Sequence, residues 1–212
     1  MSDPDADVEA DADADADANT DTERGTEASD GAGAELPGRV RRAVRDHDAV
    51  ADEPVDGALA VTSTPFDAVV AVAAADDGRV EFRVTVTVPT VSAVADDEVA
   101  DVVADGWLET FERRIDAVGD VTAAGHDLAP TVERDGDEVT VSESLRDPNE
   151  DRGLNDAVAV VDFVEGTYVQ GVIPGYDYGE PVTSLIDRAR ATGTAGGPAG
   201  PGGRGRDGDG DR

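Results

Sequence analysis

The sequence predicts an α+β domain with a mainly antiparallel sheet. The segment Val80–Val88 alternates apolar and polar residues, which is typical of an antiparallel strand with one buried and one exposed face. Two further strand-like segments flank Asp135-Gly136, a dipeptide that is typical of hairpin turns. Elsewhere, long stretches repeat apolar residues every three or four positions, as amphipathic helices do. Runs of strands between helices favour the α+β class over strict βα alternation.

One helix and three strands are predicted in the first half of the chain. Residues 36–49 repeat apolar side chains at helical spacing. Two extended segments follow at residues 59–63 and 66–74, of which the second is rich in valine and alanine. Asp76-Asp77-Gly78 then supplies turn chemistry before the strand Val80–Val88.

The second half begins with the longest predicted helix, residues 93–118. Asp96, Asp97 and Glu98 place negative charge where a helix N-terminus favours it, and Gly119 ends the helix. The remaining elements are a hairpin of residues 131–134 and 138–145, a helix over residues 155–172, and a short helix over residues 181–191. The predicted order is therefore α-β-β-β-α-β-β-α-α.

Both ends of the chain have low-complexity composition. Residues 1–35 hold 13 acidic residues and one arginine, and residues 193–212 are rich in glycine and proline. Neither segment has enough apolar surface to offset the entropy of ordering, so both are predicted to be disordered tails around one domain of residues 36–192. The alternating carboxylates that start at Asp11 resemble a calcium loop, but its sixth and twelfth positions hold Ala16 and Thr22, so no metal site is expected there.

Composition excludes several classes of function. The chain carries 49 acidic residues against 17 basic ones, all of them arginine, for a net charge of −32. Binding to nucleic acid is unexpected, because phosphate contacts need a positive surface. The absence of cysteine and lysine excludes thiol nucleophiles, thiolate metal sites and Schiff-base lysines. No stretch is apolar enough to span a membrane, and no cofactor is expected.

The acidity extends into the predicted domain and indicates a salt-rich compartment. Residues 36–192 hold 33 acidic residues and 13 arginines, a net charge of −20. Such a charge repels itself in dilute buffer, whereas molar salt shortens the screening length to about 3 Å. We therefore expect a halophilic, cytoplasmic protein.

Five stretches of the chain carry a family resemblance. They are Ser63-Thr64-Pro65-Phe66-Asp67, Val80–Pro89, Asp105-Gly106-Trp107, residues 161–167 and residues 170–178. Together they resemble an uncharacterised domain family of halophilic archaea, over residues 36–192. The resemblance implies a compartment and a single domain but no reaction. The element order is also similar to that of type III secretion chaperones and YbjN-type regulators, which are small protein-binding domains, although fold does not carry function.

All three tyrosines lie close together in the sequence, at a helix end and the turn that follows it. The candidate binding residues here are Tyr168, Gln170, Tyr176, Asp177 and Tyr178. Tyrosine anchors protein interfaces at low entropy cost, so this segment predicts a preformed binding surface. The alternative is that the turn only packs onto the sheet.

Arginines concentrate on the first helix at Arg39, Arg41, Arg42 and Arg45. They suit a docking face for an acidic partner or a phosphate. The alternative is pairing with neighbouring carboxylates of the same chain.

Two histidines complete the candidates. His126, beside Asp127, is a candidate general base with a carboxylate to orient it, or else a solvent-facing loop residue. His47 suits the C-terminal end of the first helix, where its charge would interact with the helix dipole. Motifs of hydrolases, dinucleotide-binding proteins and zinc proteases are missing from the sequence.

These observations favour a non-catalytic domain that binds a protein partner, either another protein or a second copy of the chain. The alternative is an enzyme or small-molecule binder that uses tyrosine, carboxylate and arginine groups near residues 168–178.

Overall fold

A computed structural model describes residues 36, 38–51, 53–54 and 57–195, which form helices on a five-stranded antiparallel sheet. The predicted α+β class is confirmed. The helices are α1 Gly38–Arg45, α2 Val91–Val94, α3 Asp101–Ile115, α4 Glu150–Gly171 and α5 Val182–Ala195. The strands are β1 Ala58–Ala60, β2 Asp67–Ala74, β3 Val80–Pro89, β4 Thr131–Asp135 and β5 Glu138–Asp147.

The central strand of the sheet is β3, in the strand order β1-β2-β3-β5-β4. It pairs with β5 from Val80 opposite Asp147 to Pro89 opposite Glu138. Phe82 and the alternate valines of β3 are fully buried, which confirms the predicted alternation. The predicted hairpin is also confirmed, with β4 and β5 joined by a two-residue turn whose Gly136 has φ of 58°.

Helix α4 packs against β3 and β5 and contacts α1, α3 and α5. Its inward residues Val160, Val161 and Val164 are buried. Near its start, Gly153 allows a close approach to the sheet, because a β-carbon there would overlap the ring of Phe82. The core therefore lies between α4 and one face of the sheet.

The opposite face of the sheet carries an ion-paired carboxylate. Glu81 is 9% exposed and accepts hydrogen bonds from Arg83 Nε at 2.9 Å and from Arg146 Nη2 at 2.8 Å. Burial tends to raise the pKa of Glu81, but the hydrogen bonds and charges of the two arginines outweigh it and lower that pKa. The carboxylate is therefore held in its charged form.

Replacing Glu81 with glutamine is expected to lower the free energy of unfolding by about 1 kcal/mol at neutral pH, because the two arginines lose a charged acceptor. A lowered folded-state pKa gives stability that is present above the unfolded pKa, near 4.5, and is lost as the pH falls through the folded-state value. Urea unfolding in molar KCl should therefore show wild type and Glu81→Gln converging in acid. The exposed Glu133→Gln is the control, and a difference that does not change with pH would contradict the prediction.

The single helix predicted over residues 93–118 is wrong, since α2 and α3 are separated by an extended connection. The backbone of that connection pairs with the turn after α4. The Asp96 N–H donates to the Asp177 carbonyl at 2.9 Å, and the Gly179 N–H donates to the Val94 carbonyl at 2.8 Å. These tertiary hydrogen bonds replace helical ones, so the acidic run that begins at Asp96 precedes α3.

Other boundaries differ less. The α1 helix ends at Arg45, before the predicted residue 49, and β1 is shorter than residues 59–63. Helix α4 starts at Glu150 rather than residue 155, because Asn149 Oδ1 accepts from the Arg152 N–H at 2.8 Å and caps the helix.

At the chain ends, α5 extends to Ala195, so the first residues of the predicted tail 193–212 are helical. The other residues of that tail, and the predicted tail 1–35, lie outside the described residues. None of the described helices combines the length and the apolar character needed to cross a lipid bilayer.

Candidate functional site

The turn between α4 and α5 is ordered by its own hydrogen bonds. The Tyr178 hydroxyl donates to the Ile173 carbonyl at 3.0 Å and accepts from the Ile173 N–H at 3.1 Å. Burial raises the pKa of Tyr178. A bridge between Ala95 and Tyr178 attaches the turn to the connection before α3. Tyr178 therefore holds the turn in shape.

The three tyrosines divide between packing and surface. Tyr168 is 1% exposed, and its ring meets Phe66 and Trp107 edge-on at centroid distances of 5.0 and 5.6 Å. Burial raises its pKa above the ordinary value. Tyr168 is therefore a core residue that cannot touch a partner, while Gln170 and Asp177 are exposed and Tyr176 is half-buried.

An open groove lies beside this turn, between α4 and α5, with a volume of about 530 Å³. We call it the α4–α5 groove. Most of its lining is apolar, and Tyr176 and Tyr178 contribute to it. Its lining includes Val169, Val172, Ile173, Pro174, Ile186, Ala189 and Arg190. The predicted tyrosine turn therefore lies next to an apolar depression on the described surface.

The α1 arginines lie at the other end of α4. Arg39 Nε pairs with Glu150 at 2.7 Å, whereas Arg42 and Arg45 are exposed and form no ion pair with any residue that the structure describes. Arg41 is exposed as well. Because Glu150 begins α4 and the turn follows its end, about 30 Å separates the two regions at 1.5 Å per residue. The arginines and the tyrosine turn do not form one surface.

His126 belongs to a cluster that the sequence does not reveal. Its side chain is 15% exposed, and Nε2 lies 3.3 Å from Asp156 Oδ2 and 3.7 Å from Asp147 Oδ2. The neighbouring carboxylates are therefore Asp147 and Asp156, not the predicted Asp127, and His126 is not a solvent-facing residue. Among the residues described, these three form the group that could hold a metal ion, with one donor atom of each within 4.8 Å of the others.

Both carboxylates of this cluster are fixed by other hydrogen bonds. Asp147 accepts two from the Arg152 guanidinium, each at 2.8 Å, and one from the Asn149 N–H at 2.7 Å. Burial tends to raise the pKa of Asp147, but these hydrogen bonds and the Arg152 charge outweigh it and lower that pKa. The same pair raises the pKa of Arg152.

Asp156 is held from the loop that carries His126. The Ala123 and Ala124 N–H groups donate to its two oxygens at 2.7 and 3.2 Å. Thr122 Oγ1 accepts from the His126 N–H at 3.0 Å, which orders the same loop. The loop thus brings His126 and the N–H groups of Ala123 and Ala124 next to Asp156 of α4.

A polar cleft of about 450 Å³ opens next to His126. It is bordered by the carboxylate-bearing residues Asp116, Asp120 and Asp127 and by Gly119 and Gly125. One edge of the cluster therefore faces an acidic, solvent-accessible depression.

The sequence contains one signal for this cluster that was missed. Asp156 lies four residues before Val160 and eight before Val164, on the inward face of α4. A carboxylate on an apolar stripe must find partners when it is buried. The sequence around Asp147 shows no comparable signal. Asp147 and His126 are not neighbours in the sequence, so their contact could not be predicted from it.

Two other carboxylates of α4 have partners within the domain. Asp162 accepts from Ser63 Oγ at 3.0 Å, and Glu165 pairs with Arg188 at 3.6 Å. His47, at the end of α1, has Nε2 3.1 Å from Asn155 Oδ1. None of these residues lines the groove, and none of them belongs to the cluster.

Comparison with known proteins gives a single positive result. No curated protein and no solved structure matches the chain, so the likeness to secretion chaperones and YbjN-type regulators stays a prediction. A family model described as a family of unknown function, DUF5813, matches residues 45–188. This match lies within the range of the predicted resemblance to an uncharacterised domain family and confirms it. The chain belongs to the DUF5813 family.

Proposed function

We propose that this domain is a non-catalytic protein-binding module of a halophilic, archaeal cytoplasm, and that an apolar segment of a partner protein docks in the α4–α5 groove. The observation that carries the proposal is the groove itself, an open apolar depression with two tyrosines in its lining. Interface hot spots are typically apolar pockets with aromatic residues.

Preorganisation of the groove supports this role. The Tyr178 hydroxyl holds Ile173, and the Asp96–Asp177 and Val94–Gly179 backbone hydrogen bonds fix the turn to the rest of the domain. A surface that is already ordered loses less entropy when a partner binds. Half-buried Tyr176 lines the groove and is within reach of a partner without a large rearrangement.

The charge of the domain supports the proposed salt-rich cytoplasm, and it supports recognition of the partner through apolar contacts. Residues 36–192 have a net charge of −20. Molar salt screens charges beyond about 3 Å, so long-range electrostatic steering is lost. Burial of apolar surface remains as a driving force under those conditions. An apolar groove is therefore the kind of site that can still select a partner there.

The small-molecule alternative has less support. Tyr176, Asp177, Tyr178, Asp187 and Arg190 border a shallow depression of about 180 Å³. Typical small-molecule sites are clefts of about 300–1,000 Å³ that enclose most of the ligand. The groove is open, which suits a polypeptide segment better than an enclosed ligand.

The absence of cysteine gives a direct test of docking. Ala189 is exposed in the groove, and Val102 on α3 is 78% exposed away from it, so Ala189→Cys and Val102→Cys form a matched pair for a photoactivated cross-linker. In lysate kept at molar KCl, the label at position 189 is expected to give a discrete adduct that Tyr176→Ala reduces about tenfold. The mass of the adduct distinguishes a second copy of this chain from another protein.

Equal adducts from both labels would contradict groove-specific docking, as would an adduct from position 189 that Tyr176→Ala does not change. Circular dichroism of each variant in the same salt checks that the fold is retained.

A further inference from the structure

We propose that His126, Asp147 and Asp156 form a binding site for a divalent transition-metal cation of the Zn²⁺ class. The proposal does not depend on the docking groove, which lies at the other end of α4. It rests on the spacing of the donor atoms, on an unpaired buried nitrogen, on the support of each carboxylate, and on access from solvent.

The donor atoms have the spacing that one metal ion requires. Ligands about 2.0–2.2 Å from a tetrahedral ion lie about 3.3–3.6 Å from each other. His126 Nε2 lies 3.3 Å from Asp156 Oδ2 and 3.7 Å from Asp147 Oδ2. One donor atom from each of the three residues lies within 4.8 Å of the other two. A single ion can therefore contact all three with small shifts of the side chains.

The imidazole nitrogen that faces the carboxylates is buried and makes no hydrogen bond. Buried polar atoms nearly always have a partner, so this exception needs a physical reason. A protonated His126 would be expected to direct its Nε2–H along a line to one carboxylate oxygen. Instead Nε2 lies near one oxygen of Asp147 and one of Asp156 without hydrogen-bond geometry to either. A cation between the three atoms would use the nitrogen lone pair and both oxygens.

Each carboxylate has the outer hydrogen bonds that metal ligands usually have. Arg152 and the Asn149 N–H hold Asp147, while the Ala123 and Ala124 N–H groups hold Asp156. Such contacts orient a ligand and contribute to metal affinity. Asp147 is 0% exposed and Asp156 2%, so their positions are set by the fold.

Charge and access also favour a cation. The two buried carboxylates are matched by one permanently charged group, the Arg152 guanidinium, so a cation between them would balance the remaining negative charge. The acidic cleft that His126 lines attracts cations to this edge of the cluster. One nitrogen and two oxygen donors suit Zn²⁺ and its neighbours better than Ca²⁺ or Mg²⁺, which prefer oxygen alone.

Titration of the full chain with Zn²⁺, after treatment with a chelator and in molar KCl, tests the site. We expect saturation at one Zn²⁺ per chain. His126→Gln should weaken binding about tenfold or more, because a neutral nitrogen ligand is lost. His47→Gln replaces the other histidine of the chain and should leave the affinity unchanged. Calorimetry and the Zn²⁺-induced rise in the unfolding midpoint are the two readouts.

Equal binding by wild type and His126→Gln would assign the ion to surface carboxylates and overturn the proposal, and so would the absence of saturable binding by wild type. Histidine ¹⁵N NMR of wild type needs no variant that might misfold. Zn²⁺ is expected to shift Nε2 of one imidazole and leave the other unchanged. An imidazole that stays doubly protonated at neutral pH with Zn²⁺ present would mean that a proton, not a metal, occupies the cluster.

Discussion

Replacing Gly153 with alanine is expected to destabilise the domain by about 2 kcal/mol, whereas the same change at Gly166 in the same helix should stabilise it by up to about 1 kcal/mol. At Gly153, the new β-carbon would overlap the ring of fully buried Phe82 and crowd Asp147. The ring has no space to retreat into, because interiors are close-packed. At Gly166 nothing lies within 4 Å of the new atom, so only the gain in helix propensity remains.

Urea unfolding of the two variants and wild type in the same molar KCl measures the effect. The substitutions are chemically identical and share one helix, so helix propensity cancels in the comparison. Changes of the same sign at both positions would contradict the close packing of α4 on β3.

Dialysis from molar KCl into low-salt buffer is expected to unfold or aggregate the protein, which is the largest effect predicted here. Residues 36–192 carry a net charge of −20, and the screening length grows from about 3 Å at 1 M salt to about 30 Å at 0.01 M. Repulsion between carboxylates then acts across the whole domain. Because domain stabilities are only about 5–15 kcal/mol, this repulsion can exceed the margin.

Urea midpoints measured over a series of KCl concentrations test this expectation. NaCl at matched ionic strength is the control, because screening depends on ionic strength and should restore the fold equally with either salt. A midpoint that does not move with KCl would exclude salt adaptation of the fold.

The elements that were predicted correctly are those whose signals are local. The alternation of β3 and the turn chemistry around Gly136 both depend on neighbouring residues, and the structure matches them. The helix over residues 93–118 failed because the connection before α3 bonds to the Asp177 turn, which lies far away in sequence. Helical spacing cannot report a backbone group that is used in a tertiary contact.

The candidate sites show the same division. The position of the tyrosine turn was predictable from composition, but the burial of Tyr168 against Phe66 and Trp107 depends on how α4 meets the sheet and α3. His126 was a candidate with Asp127, its neighbour in sequence, whereas the fold gives it Asp147 and Asp156. Contacts between separate elements were the part that sequence reasoning could not supply.

Helix α4 contributes Asp156 to the cation cluster and Val169 to the groove, about 20 Å apart along its axis. Any energetic coupling between the two sites is reciprocal by thermodynamic linkage, so a cation that tightened partner binding by some factor would itself be held tighter by that same factor. Two titrations, each with and without the other ligand, would give this factor. A factor of one would mean that binding at one end of α4 does not affect binding at the other end. The two sites could then change independently in other members of the family.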